Sequence, residues 1–124
     1  MSEPTQAIYD AMFSASLQCG FATYDFLPKE EVEYPFVVLQ SALLIPRPTK
    51  GTWLGGVSLA IDVFGLGSDR KKVSEIAHRL MRCAKALSLS GVHLVPSESM
   101  IEMLPDQSTA IDLWHGRVHL SFRF

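Results

Sequence analysis

The chain has 124 residues, of which 48% are hydrophobic and 19% are charged, and its mean hydropathy of +0.17 is high for a globular chain of this size. One hydrophobic core fits this length, so we expect a single domain spanning residues 1–124. The net charge of −2 and the pI of about 6.0 argue against a dedicated nucleic-acid-binding protein, which needs a surplus of Lys and Arg to contact phosphates.

Neither the N-terminal residues nor the cysteines indicate export or metal binding. No apolar run approaches the roughly 20 residues that span a bilayer, and Ser2, Glu3 and Pro4 stand where a signal peptide carries positive charge. We therefore expect a soluble protein that is made in the cytoplasm. Cys19 and Cys83 each lie near the apolar face of a helical pattern, which predicts two buried free thiols and no disulfide.

The N-terminal third combines a helical pattern with an acidic stretch. Apolar residues recur at helical spacing from Pro4 to Cys19, and Gly20 supplies a C-terminal stop. The stretch Asp25–Glu33, called the acidic segment below, has only Lys29 to oppose its four carboxylates. The pattern predicts a first helix and then an exposed connection.

Two strands are predicted next. Pro35 pushes Tyr34 towards extended geometry and opens the apolar run Phe36–Ile45, which is typical of a strand buried on both faces for part of its length. Residues Val57–Val63 alternate apolar and polar side chains, as expected for a strand that pairs antiparallel with the first. An irregular loop is predicted between them from its helix and strand breakers, Pro46, Pro48, Gly51, Gly55 and Gly56.

The second half predicts a helix and two more strands. Ser68 or Asp69 can cap a helix whose apolar positions keep helical spacing to Leu87. A strand that starts at Val92 is interrupted by Pro96 and resumes as far as Leu104. In the last strand, which ends at Phe124, one face is apolar and the other is polar; the apolar positions are Trp114, Val118, Leu120, Phe122 and Phe124. The order α-β-β-α-β-β predicts an α+β fold, with both helices on one face of an antiparallel or mixed sheet.

Catalytic and metal-binding patterns are weak throughout. His115 and His119 are separated by about 13 Å along a strand and cannot share one ion, so they are interpreted as polar residues on an exposed sheet face. His78 and His93 have no Cys, Asp or Glu at ligand or nucleophile spacing. The turn Gly65–Asp69 lacks the full pattern of a phosphate-binding loop. We expect no catalytic residues, no metal and no cofactor.

Charge is distributed unevenly along the chain. The second helix carries most of the basic residues, which a solvated helix face explains as well as a binding surface does. A protein that is acidic on one surface and basic on another can also associate head to tail and close into a ring. The hypothesis places the contact between subunits at Glu30, Glu31, Glu33, Arg79, Arg82 and Lys85.

A second candidate contact surface consists of bulky residues near turns. Trp53 lies in the predicted loop with Arg47 and Lys50, and Met100 and Met103 lie in the interrupted strand. Such apolar groups serve equally well as core or as adaptable protein contacts.

Beyond these patterns, the chain resembles the tail terminator or tail-completion proteins of long-tailed bacteriophages, which include the tail-to-head joining and minor tail protein U-like proteins. The likeness lies in the order of elements and covers nearly the whole chain. The residues that carry it are the N-terminal helix, Tyr24, Asp25, Leu27, Pro28, Tyr34–Leu39, Asp62–Phe64, Arg70–Ser74 and the closing β-hairpin.

The resemblance implies a non-enzymatic structural protein. It would form a ring, a hexamer in the assembled tail, on the head-proximal end of the tail tube, stop tube growth and present a surface to the head connector or head-closure protein. It would reside in the virion tail after assembly in the host cytoplasm, with DNA only passing through the ring. The alternatives are another neck component, such as a head-closure or connector-adaptor protein, and a small ligand- or nucleic-acid-binding α+β domain that uses the basic helix.

Overall fold

The computed structural model describes residues 4–49 and 52–124, with side chains described for 4–46 and 55–124. This part of the chain forms two α-helices, six strands and a 3-10 helix at Pro96–Glu98. The elements are α1 (Pro4–Gln18), β1 (Thr23–Tyr24), β2 (Phe36–Thr49), β3 (Thr52–Leu66), α2 (Arg70–Lys85), β4 (His93–Leu94), β5 (Met100–Asp106) and β6 (Leu113–Arg123). Neither helix is long and apolar enough to cross a membrane.

The strands form one mixed sheet in the order β1-β2-β3-β6-β4, with β5 also paired to β6. β1 runs parallel to β2, whereas the other pairs are antiparallel. β5 pairs with residues 113–119 of β6, and β4 pairs with residues 122 and 123 of the same strand. The two short strands therefore follow one edge of β6, and the 3-10 helix that begins at Pro96 separates them. The predicted α+β fold and the interruption at Pro96 are confirmed.

Both helices pack on the same face of the sheet. Cross-strand partners such as Leu39, Ile61 and Val118 face the helices and are fully buried. Helix α2 contributes five buried side chains at helical spacing, as predicted, because one stripe of the helix meets the sheet. These are Val73, Ile76, Ala77, Leu80 and Ala84.

The ends of the helices agree with the predicted boundaries. Gly20 follows α1 with φ of +87°, the left-handed conformation that ends many helices. Asp69 occupies the N-cap position of α2, but its side chain makes no capping hydrogen bond. Inside α1 the buried residues are Ile8, Met12 and Ser16, and the Ser16 hydroxyl lies 2.7 Å from the hydroxyl of Thr23. That bond joins α1 to β1, a strand that the sequence did not predict.

Candidate functional site

Residues 43–49 of β2 and 52–58 of β3 form a β-hairpin arm whose outer part extends past the rest of the sheet. β2 and β3 pair along their length as far as Thr49 and Thr52, whereas β3 pairs with β6 only from Gly56 onward. At the base of the arm, Gly55 exchanges two backbone hydrogen bonds with Phe124, of 3.3 and 3.1 Å. We call the paired residues 43–49 and 52–58 the arm; its base, where residues 43–45 pair with residues 56–58, still lies beside β6. Beyond Gly55, its strands pair only with each other.

The predicted loop in this region is wrong, because its residues 46–49 and 52–56 belong to paired strands. Pro46 and Pro48 lie two positions apart, so their backbone nitrogens point to the same side of β2. A proline is tolerated where that side is an open edge, since no ladder bond to the partner strand is lost. β1 covers this edge of β2 only at Val37 and Val38, which leaves the arm's outer edge open.

The arm exposes large apolar side chains. Leu43 is 61% exposed, and Ile45 and Leu44 are also exposed. Successive residues of a strand point to opposite faces, so these three residues make the base of the arm apolar on both faces. Of the predicted contact residues in this region, Lys50 lies outside the described residues, and Arg47 and Trp53 belong to the paired backbone while their side chains lie outside the description. The contact role of these three stays a prediction.

The two methionines predicted with them differ in environment. Met100 is 54% exposed, whereas Met103 is half-buried and packs against the core. Met103 and Ile101 lie two residues apart and therefore on the same face of β5, and both pack against the core. The structure therefore leaves Met100 available for contact and gives Met103 a packing role.

The six charged residues of the predicted subunit interface are all exposed. They form two groups, one in the acidic segment and one on α2. In the part of the chain that the structure describes, none of them takes part in an ion pair; the pairs are His115–Asp62, Arg117–Asp62, Arg117–Glu102 and Arg123–Glu98. Both groups thus present charge to solvent or to a partner.

A groove of about 470 Å³ lies beside the basic residues of α2. Lys72, Arg79 and Arg82 line it together with Ile76, Phe21, Glu75 and Pro35, which comes two residues after the acidic segment. The lining has three cations for one carboxylate, and apolar side chains lie among them. A partner segment that combines carboxylates with an apolar anchor has the complementary chemistry.

The acidic segment carries two exposed apolar residues that the sequence analysis did not single out as contacts. Phe26 is 77% exposed and Leu27 is 58% exposed, and both line a cleft with Tyr24 and Pro28. Large apolar side chains so exposed next to carboxylates are typical of a protein contact. The signal in the sequence was a Phe-Leu-Pro triplet inside an acidic connection.

The sheet face away from the helices holds a buried polar pair. His115 Nε2 lies 2.6 Å from Asp62 Oδ1, and each side chain is only 13% exposed. Phe64 stacks on the His115 ring with centroids 4.6 Å apart, and Phe36 continues the aromatic row beside Phe64. The interpretation of His115 as a residue on an exposed face was wrong, because an aromatic neighbour and a carboxylate cover it.

The pair also fixes the ionisation of Asp62. Burial alone would raise the pKa of Asp62, but hydrogen bonds from His115 and Gln40 and the charges of His115 and Arg117 hold it below its usual range. Asp62 is therefore a carboxylate at neutral pH. Across residues 4–49 and 52–124, no three His, Cys, Asp or Glu side chains come together in a way that could hold a metal ion.

Comparisons with known proteins give a likeness at the level of fold. No protein-family model matches the chain, and no curated protein matches it either. Among solved structures, the chain is similar to a chain in the virion of a native gene transfer agent (GTA) particle, with a TM-score of 0.66 and 16% sequence identity. The match covers 98% of both chains. At that identity the two chains share a fold over their whole length.

Proposed function

We propose that this protein is a structural component of a phage-like particle, a ring-forming terminator at the head-proximal end of the tail tube. The observation that carries the proposal is the fold likeness to a chain of the GTA virion, which covers 98% of both chains. The resemblance of the sequence to tail terminator proteins supports the same role. A shared fold does not determine function, so support for an assembly role must come from the exposed surfaces.

The exposed surfaces support an assembly role. A ring needs two different complementary patches on each subunit, because a heterologous contact repeats around an axis until it closes. The unpaired carboxylates of the acidic segment and the unpaired cations of α2 provide such patches. In this arrangement Glu30, Glu31 and Glu33 of one subunit face Arg79, Arg82 and Lys85 of the next.

The arm provides a third surface, since its outer part projects from the sheet and its base exposes apolar side chains. Its apolar Leu43 and Ile45, together with Met100, suit a contact with the last ring of the tail tube or with the head connector. In the sequence, Arg47, Lys50 and Trp53 fall between Ile45 and Gly55. A ring that binds the tube with one surface and offers a different surface outward leaves no site for another tube subunit. Termination then requires only occupancy of the tube end, with no energy source.

Tail length tests the proposal. Particles assembled without this protein are expected to have abnormally long tails or tails without heads, as measured by negative-stain electron microscopy. Adding the purified protein to growing tubes should halt their elongation, and bovine serum albumin at the same concentration serves as the control. Tails of normal length that still carry heads in its absence would rule the proposal out.

The alternative is another neck component of the same particle, which the likeness to a virion chain supports equally. The two roles differ in where they act. A head-closure or connector-adaptor protein leaves tail length unchanged when it is missing, and it binds isolated heads without tubes. Normal tails with unattached heads would therefore favour this alternative.

A further inference from the structure

We infer that Cys19 and Cys83 form a reversible disulfide that locks helix α1 to helix α2. The two sulfur atoms lie 3.5 Å apart although the residues are 64 positions apart in the chain. Both thiols are free and half-buried. Cys19 directly follows α1 and Cys83 lies on α2. Because their sulfur atoms are already within van der Waals distance, a small side-chain rotation brings them to bonding distance. The inference is independent of the proposed function.

A cleft gives a reagent access to one of the two thiols. Ser14 and Gln18 of α1 and Cys83, Leu87 and Ser88 on the other side line an open cleft of about 410 Å³. Cys19 does not line it. A small disulfide such as oxidised glutathione can therefore reach the Cys83 sulfur first, with hydroxyl and amide groups nearby for its polar parts.

The reaction proceeds by thiol–disulfide exchange. The Cys83 thiolate attacks one sulfur of oxidised glutathione, which breaks the glutathione disulfide, forms a mixed disulfide and releases one reduced glutathione. The Cys19 thiolate then attacks the Cys83 sulfur and releases the second reduced glutathione. The protein loses two electrons and two protons, and oxidised glutathione gains them. The reverse sequence reduces the bond where reduced glutathione is in excess.

The surroundings make this exchange slow. Burial raises the pKa of the Cys83 thiol, Cys19 raises it further, and Arg79 opposes both. The thiolate fraction of Cys83 is therefore small at neutral pH, which slows its attack. A reducing cytoplasm keeps the pair reduced, whereas an oxidising medium favours the bond. The bond would close a loop that contains the whole β2–β3 hairpin and so restrict the unfolded chain.

Mass spectrometry and thermal unfolding test the inference on the full chain. After incubation with oxidised glutathione, the wild-type protein should lose two hydrogen atoms, stay monomeric on a non-reducing gel, and melt at least about 5 °C higher than the reduced protein. Cys19→Ser should accumulate one glutathione adduct at Cys83, whereas Cys83→Ser should accumulate far less at Cys19.

The control is the wild-type chain unfolded in denaturant, whose thiols should react freely. Two unreacted thiols in the folded protein, under conditions that oxidise the unfolded control, would overturn the inference. Disulfide-linked dimers would overturn the intrachain pairing. An unchanged melting temperature after bond formation would overturn the stabilising role, and equal adducts on both single variants would overturn the order of attack.

Discussion

The two halves of strand β2 have similar compositions and opposite environments. Phe36–Leu39 is buried on both faces, between the helices on one side and an aromatic layer on the other. Leu43–Ile45 has the same apolar character but lies at the base of the arm, on the edge of the sheet beyond the end of β1, and its side chains are exposed. The register between β2 and β3 shifts at Gln40, between the two halves. An apolar run thus indicates a strand, but only its neighbours decide whether it is core or contact surface.

Replacing one leucine in each half of β2 should give the largest difference in stability. Leu39→Ala should lower the free energy of unfolding by about 2–5 kcal/mol, because Leu39 is 0% exposed and its loss leaves a cavity. Leu43→Ala, in the same strand, should change it by less than about 0.5 kcal/mol. Chemical denaturation measures both. Equal costs would mean that the arm packs in the isolated protein as tightly as the body.

The buried polar pair tests the other face of the body. Asp62→Ala should cost about 1–3 kcal/mol at pH 7, because it leaves the half-buried His115 ring without its partner. Glu98→Ala is the control, since it breaks an exposed ion pair with Arg123 and should cost under about 1 kcal/mol.

The pH dependence of the same pair has a definite sign. The pKa of Asp62 is lower in the folded protein than in the unfolded chain, where it is about 3.9. Its contribution to stability is therefore fully present above pH 4 and disappears as the pH falls through the lower, folded value. The stability difference between wild type and Asp62→Ala should shrink over that acid range. A difference that stayed constant down to pH 2 would contradict the shift.

The sequence predicted those parts of the fold that local periodicity determines. Helix α2 and the alternation of β3 are examples, because each buries one regular stripe or face. It missed β1, since a two-residue strand has no period, and it missed the arm, since pairing between two chain segments overrides the local preference of Pro46 and Gly55 against strands.

Some features of the candidate surfaces could be predicted from the sequence, and others could not. Charge in the acidic segment and on α2 was visible in the sequence, and the exposure of these residues agrees with it. The pairs Asp62–His115 and Cys19–Cys83 were not visible, because residues 53 and 64 positions apart are brought together only by the sheet register and the packing of the helices.

Charge reversal on α2 tests whether the body also contributes a contact surface. Arg79→Glu with Arg82→Glu should cost at most about 1 kcal/mol of stability, mainly by placing negative charge near the C-terminus of a helix. Ring or tail assembly should nevertheless be lost, and Glu30→Lys with Glu31→Lys should partly restore it. Lys71→Glu, exposed on α2 outside the groove lining, is the control. Size-exclusion chromatography and electron microscopy report assembly; normal assembly of the reversed variant would exclude this interface.

The smallest effect on stability is expected at the arm. A comparison of two equally exposed isoleucines there and elsewhere tests whether exposed apolar side chains of the arm contact the tube. Ile45 on the arm and Ile111 in the β5–β6 turn are both 50% exposed. Ile45→Ser and Ile111→Ser should each change the free energy of unfolding by less than about 0.5 kcal/mol, since both side chains are half in water before the change. If the arm is a docking surface, only Ile45→Ser should impair assembly on tail tubes, because a contact loses the apolar area that it buries while a turn loses nothing. Cosedimentation with tubes measures the difference, and equal binding by the two variants would show that the arm's exposed side chains do not meet the tube.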